Sequence, residues 1–403
     1  MSSYNWIEAA TPTIVVPGTP ARWTALEGPR QIARDSGHIY IAQNAARHPE
    51  SPLEPLFRSL YAENDSFDVR SADVITDRNN IRKLLSLVSP EFDQKKAEAF
   101  TIKVEVVQDT TTILCRDEAD TQCIIGPNEF RGHGHEFEKA YTVHQVPDST
   151  GHHRVISYRF CGLNLLVRYE MDAYVEDAKA AAHRKDPEDY SISRMMQNLA
   201  LSSSQGPEHT EVDGSKLRVK KGGQAVPLSS TLEIKTRAFR NPLSFDAVAP
   251  QLWVSQTPNL VRAYHSRGRF QMPRVEDVAA QIQRWEAGQQ SSLRKLGWLL
   301  KRITALAREC GGKATVKYDV EGDKLVIVRD EGQKMLPEDL YAKWQVGDHG
   351  AEAALGDTAV GDADAATPVK EAGAKNEDNS AAVKLKETEN GKETPKSAVK
   401  SAA

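Results

Sequence analysis

The sequence is short of several things, and each shortage removes a class of protein. Cysteine is scarce: four residues in 403, Cys115, Cys123, Cys161 and Cys310, with no C-x-x-C pair among them. That spacing builds neither a zinc ribbon nor a disulfide scaffold, and it fits a reducing compartment. Long apolar runs are missing. The best stretch, Leu296 to Ala307, is interrupted by Lys301 and Arg302, so no transmembrane helix is expected. Met1 to Thr11 carries no basic-then-apolar signal, which argues against secretion. Neither sign of charge prevails: 52 Lys and Arg against 56 Asp and Glu give a formal net charge of -4. A nucleic-acid partner would therefore have to be gripped in a local groove. Phe, Trp and Tyr vanish altogether from Val346 to Ala403. A segment so poor in apolar surface cannot offset its ordering entropy, and residues 346–403 are predicted to be a disordered, low-complexity tail.

Residues 1–345 remain as one folded domain, ample for a sizeable core. Up to about residue 70 the chain is rich in Pro and Gly with little periodicity, and it is expected to wrap the core rather than form it. Asn80 to Leu87 reads as a short helix. Thr101 to Val107 and Thr111 to Arg116 read as an antiparallel strand pair. Asn128 is the expected cap of a helix running to Tyr141. Val155 to Phe160 and Asn164 to Tyr174 form a second strand pair around Cys161-Gly162. A polar insertion follows over about 177–230, with a helix at Ser191 to Leu201. Then come a strand (Ser230 to Thr236), a helix (Phe245 to Gln256), a strand (Leu260 to His265), helices over Arg274 to Glu286 and Ser291 to Cys310, and a hairpin of Ala314 to Asp319 with Lys324 to Arg329. Strands and helices mix without strict alternation. The fold class is α+β, a mixed β-sheet core flanked by helices.

Two strand segments carry chemistry: Tyr169-Glu170-Met171-Asp172 and Leu232-Glu233-Ile234-Lys235-Thr236. Residues two apart on a strand share a face, so Glu170 is expected to project with Asp172, and Glu233 with Lys235. Apolar neighbours on both strands imply partial burial, which is costly for an unpaired carboxylate. Hard divalent cations such as Mg²⁺ or Mn²⁺ compensate such a group best, and a lysine beside them can orient or deprotonate water. E-x-D followed by E-x-K is the outline of a metal-dependent phosphodiesterase.

With three further segments the sequence resembles the DXO family of decapping exoribonucleases, built on the PD-(D/E)XK nuclease core. The ordered set is Arg78 in Asp77-Arg78-Asn79-Asn80-Ile81, then Gly134-His135-Glu136-Phe137-Glu138, Glu170/Asp172, Glu233/Lys235, and Gln256 on the next helix. The resemblance spans roughly residues 20 to 345, with His135 standing where the family usually has an aromatic residue. It implies that Glu138, Asp172, Glu233 and the Ile234 carbonyl hold metal, two cations in all, directly or through water. Glu170 would bind metal or its water, Lys235 would position the nucleophile, Gln256 would touch the scissile phosphate or attacking water, and Arg78 a substrate phosphate. The implied activity is removal of aberrant or NAD-type 5′ caps from RNA by phosphodiester hydrolysis, accompanied by pyrophosphohydrolase and 5′-to-3′ exoribonuclease work. The implied partners are RNA 5′ ends and a 5′-to-3′ exoribonuclease, with no membrane, in an intracellular and preferentially nuclear setting.

Two other classes compete. A catalytically weak protein could keep the fold and serve as partner of a nuclear 5′-to-3′ exoribonuclease; four retained carboxylates and Lys235 speak for catalysis instead. A PD-(D/E)XK DNA nuclease is disfavoured by the Gly134 segment and Gln256. Arg262, Arg267 and Arg269 are read as a solvated strand face before a groove lining, and Lys216 to Lys221 as a solvated loop before an RNA-binding arm. His133, His135, His152 and His153 match no zinc spacing. Cys115 and Cys123 are read as free buried thiols.

Overall fold

Ser2–Ile7 is buried along its whole length, between Thr13–Pro17 on one side and Ser149–Phe160 on the other. The N-terminal segment is thus part of the core, contrary to the expectation that it wraps it. Periodicity failed here because this strand's polar groups are answered by residues far away in the chain. Tyr4 Oη and Trp6 Nε1 both donate to Asn44 Oδ1, at 2.6 and 2.9 Å. Asn5 donates to Ser149 Oγ at 2.7 Å and meets His152 Nδ1 at 2.9 Å. A buried polar group with partners costs little, so a mixed sequence can lie in a core.

In this computed structural model, residues 1–89, 98–127, 129–176, 210–211 and 214–345 are described. The expected tail over 346–403, the helix at Ser191 to Leu201, most of the 177–230 insertion and the Asn128 cap lie outside the described residues. The architecture is α+β. An 11-stranded mixed sheet runs Thr210–Glu211, Arg218–Gly222, Thr13–Pro17, Ser2–Ile7, Ser149–Phe160, Leu163–Glu170, Val74–Asp77, Thr111–Asp117, Phe100–Val107, Lys313–Asp319, Lys324–Arg329. A second sheet of eight strands is centred on Thr231–Ala238 and Asn259–Ser266, which pair in parallel. Among the described residues no helix is long and apolar enough to cross a membrane.

Helix Arg78–Val88 buries Ile81, Leu84 and Leu85, the i, i+3, i+4 stripe of an amphipathic helix. Helices Phe245–Ser255, Ala279–Gly288 and Gln290–Glu309 complete that layer and share one apolar cluster with the first sheet. Two element assignments change. Val275–Asp277 is a strand against Asn259–Ser266, so the helix expected from Arg274 begins only at Ala279. Lys216 to Lys221 is only partly loop: Arg218–Gly222 pairs in parallel with Thr13–Pro17, while Lys216, before that strand, bridges to Glu50 at 2.6 Å. Of the two thiols, Cys115 is buried and Cys123 half-buried.

Candidate active site

The chain leaves the first sheet at Glu170 and enters the second at Ala173. Met171 and Asp172 form the crossing, so Glu170 and Asp172 do not share one regular strand face as the pattern predicted. The junction still gathers them, because several elements end there. Val74–Asp77 lies parallel to Leu163–Glu170 with Arg168 opposite Asp77, so both strands deliver their C-terminal ends to the same edge. Arg78 opens the helix that follows. Asp172 Oδ2 accepts the N–H of Ile234 at 2.7 Å, fastening the crossing to the strand that carries Glu233 and Lys235.

Glu233 is the centre of the polar network. It is 2 % exposed. Its Oε2 accepts from Arg78 Nη1 at 3.0 Å, and its Oε1 accepts from both Lys235 Nζ and Gln251 Nε2. Three of roughly four carboxylate acceptor positions are thereby filled. Burial works against ionisation, yet the charges of Lys235 and then Arg78 outweigh it and hold this carboxyl at about 2. The Arg78 guanidinium also lies over the Tyr169 ring, 5.4 Å from its centroid.

The other carboxylates move the opposite way. Burial, followed by the charge of Glu233, pushes Asp172 up to about 7 against Lys235 and Arg78. Glu138 is raised well above the usual carboxylate range by burial and by the charges of Asp172, Glu170 and Glu233, with Lys235 opposing. Glu170 sits at the exposed rim, crowded enough that desolvation and Glu233 raise it against Arg78 and His135. Glu138, Glu170, Asp172, Glu233, Lys235 and Arg78 therefore share one electrostatic neighbourhood, although they come from four separate stretches of the chain.

Glu138 is positioned by helix Gly134–Tyr141, which buries Phe137 and Tyr141. The helix starts five residues later than a cap at Asn128 predicts. Its cap comes from elsewhere: Asp35 accepts the N–H groups of Gly134 and Glu136 at 2.9 and 3.0 Å. His135 stands 3.5 Å from the same carboxylate, which raises the imidazole's proton affinity.

Gln256 does not join the cluster by any hydrogen bond. It caps helix Phe245–Ser255 in the left-handed region, at φ 54, is exposed, and donates its side-chain amide to Trp253 O. Gln251, one turn earlier and buried, reaches Glu233 instead. A signal for it existed: Gln251 is a lone polar residue in the apolar run Val248-Ala249-Pro250-Gln251-Leu252-Trp253-Val254. Arg168 was also missed. It is buried, donates to both Asp77 oxygens at 2.7 and 3.0 Å, and reaches Pro52 O at 2.7 Å. Arg262 is held by Glu276 at 2.9 and 2.5 Å, while Arg267 and Arg269 are exposed.

The donor set suits a hard cation: four carboxylates, three of them raised by burial and by one another's charge, which positive charge would relieve. As placed, no three His, Cys, Asp or Glu side chains among the described residues stand close enough together to grip one ion. Of the histidines that stand together in the sequence, His133 is bonded to Ala33 O, His152 through Nδ1 to Asn5 and His153 to Gln43.

The family described as "Domain of unknown function (DUF8563)" matches residues 1–343. The chain belongs to that family. No curated protein matches this DUF8563 member in sequence. Among solved structures it is similar to Rai1 of Scheffersomyces stipitis, at 13% identity over 81% of this chain and 90% of that one, with a TM-score of 0.49. It is similar to S. pombe Rai1 at 11% identity over 82% and 92%, TM-score 0.48. A third is Candida albicans Rai1 in complex with pU5-Mn²⁺, at 12% identity over 81% and 99%, TM-score 0.47.

Proposed function

We propose that this DUF8563 protein is a divalent-metal-dependent hydrolase acting on RNA 5′ ends, one that removes aberrant or NAD-type caps by cutting a phosphodiester. The reading includes release of pyrophosphate and 5′-to-3′ degradation of the exposed strand. One observation carries it: Glu138, Glu170, Asp172 and Glu233 share one electrostatic neighbourhood with Lys235 and Arg78 at the crossing between the two sheets. The order of these residues in the chain is that of the DXO-like signatures.

Glu138, Asp172 and Glu233, with the Ile234 carbonyl, would hold Mg²⁺ or Mn²⁺, and Glu170 would act at the rim. Bound there, a divalent cation supplies charge stabilisation for the phosphoryl oxygens and lowers the pKa of water. Lys235 hydrogen-bonds Glu233 and faces the same space, where it orients a nucleophile. Arg78 uses one of its five N–H donors on Glu233, leaving others for a phosphate oxygen. Gln251 fixes the Glu233 rotamer from the helix side.

A second reading, a fold-retaining partner of an exoribonuclease with weak catalysis of its own, is favoured by one feature. Glu233 is engaged by three protein donors, with which any cation must compete. One assay separates the two. Purified protein is incubated with 5′-triphosphate, methyl-capped, unmethylated-capped, NAD-capped and 5′-monophosphate RNAs in Mg²⁺ or Mn²⁺. We expect cap-nucleotide release by the wild type and none by Glu233→Gln or Asp172→Asn, with unchanged circular dichroism. Full activity in the double variant discards the enzymatic reading; co-purification of an exoribonuclease without turnover on any RNA supports the second.

A further inference from the structure

Helix Gln290–Glu309 carries a charged face that the acidic cluster does not use. Its inner side is core: Leu293, Leu296, Leu300, Ile303 and Ala307 are buried. Its outer side presents Arg294, Lys295, Trp298, Lys301 and Arg302, all exposed. Trp298 is 62 % exposed, an unusual setting for an indole. The four cations stand at i−4, i−3, i+3 and i+4 from it, so one pair lies a turn above the ring and one a turn below. At 1.5 Å rise per residue, Arg294 and Lys301 are about 10 Å apart along the axis. Among the described residues Arg294, Lys295 and Lys301 have no ion pair, and Arg302 approaches Glu309 only at 3.9 Å.

We infer that this face binds single-stranded nucleic acid, Trp298 stacking a base and the two tiers of cations following the phosphates. The argument is charge complementarity. The chain as a whole carries -4, so attraction of a polyanion must be local, and these two helical turns hold four cations with no acid among them. A flat exposed indole between cations is what a sequence-tolerant stacking platform requires. An acidic protein segment would satisfy the charges but would leave the ring without a planar partner. The inference rests on the proposed function only in taking the ligand to be RNA.

The test measures binding apart from hydrolysis. Full-length chain is titrated into a fluorescein-labelled 5′-hydroxyl oligouridylate of 30 nucleotides with EDTA present. Trp298→Ala and the double variant Arg294→Ala/Lys301→Ala are expected to weaken binding at least fivefold, with unchanged thermal midpoints. Trp298→Phe should recover most of the first loss. For the double variant, the slope of log affinity against log salt should fall by about 1.4, at about 0.7 per lost phosphate contact. Wild-type affinity and slope in both variants overturn the inference, as does failure of the wild type to bind. Equal competition by oligoglutamate of matched charge overturns it in favour of an acidic protein partner. The cap assay reads turnover and this titration reads binding without metal, so a failure of the proposed function and a failure of this inference are seen separately.

Discussion

At the scale of single residues, the behaviour of this protein turns on how one buried carboxylate is shared. Glu233 remains ionised because Lys235 and Arg78 outweigh its burial. Gln251 adds a neutral donor from the neighbouring helix. A hydrogen bond to a charged group contributes about 1.5–3 kcal/mol. Gln251→Ala should therefore lower stability by about that amount in urea unfolding. It should also cut cap-nucleotide release at least tenfold, because the carboxylate loses one of its orienting partners. Gln256→Ala should leave both nearly unchanged, since its amide serves only its own helix end. The reverse ranking of the two variants would return the role to Gln256. Alternation around apolar flanks singled out Glu170, Asp172 and Glu233, whereas Glu138, on a helix, was named only through the family resemblance. Which glutamine meets them was not legible, because Gln251 and Gln256 lie on the same helix and only the docking of that helix on the Glu233 strand distinguishes them.

At the scale of elements, the site depends on two strand ends being held level. Arg168 and Asp77 lie opposite one another in parallel neighbours, and their paired hydrogen bonds clamp the strands that deliver Arg78 and Glu170. Arg168 is 2 % exposed. Removing Arg168 leaves Asp77, whose side chain is 17 % exposed, without its partner, so the cost should stay below that of a fully buried pair, about 3–5 kcal/mol. Arg168→Met should show that loss in equilibrium unfolding, and Arg168→Met with Asp77→Val should recover a large part of it. A second element-scale constraint is the seat of helix Gln290–Glu309. A Cβ placed on Gly297 would stand 2.5 Å from Cys161 Cβ and 2.6 Å from its Sγ. Alanine there gains about 1 kcal/mol of helix propensity but overpacks the contact by about 1–3 kcal/mol. Gly297→Ala should be destabilising, and Gly297→Ala with Cys161→Gly should be less so, as thermal melting would read. The stripe on that helix was plain in the sequence. The tight crossing was invisible, because its partner sits in a hairpin turn more than a hundred residues earlier.

At the scale of the whole molecule, response to acid should be set by carboxylates held below their usual range. Glu54 is 1 % exposed and lies 2.7 Å from His48 Nε2 and 2.9 Å from Arg58 Nε. Burial pushes its carboxyl up, but the His48 hydrogen bond and the Arg58 charge win, and the net direction is down. A carboxyl lowered by folding contributes stability that is fully present above its unfolded value, about 4.3, and is lost as pH falls through the folded value. The melting temperature should drop between about pH 5 and 3, and Glu54→Gln should flatten that part of the profile while lowering the neutral plateau. An unchanged acid limb in the variant would place the effect on Glu118 or Asp339, which are also lowered. The sequence by itself determined the α+β class, the amphipathic helices and the terminal hairpin, since each follows from local periodicity. Tertiary structure alone decided that Ser2–Ile7 is core, that Asp35 caps the Gly134 helix, that Glu170 and Asp172 lie either side of a strand end, and that Gln251 meets Glu233. The physical reason is common to all four: the free energy of a buried polar group is set by the partners that folding brings to it, and those partners are distant in the chain.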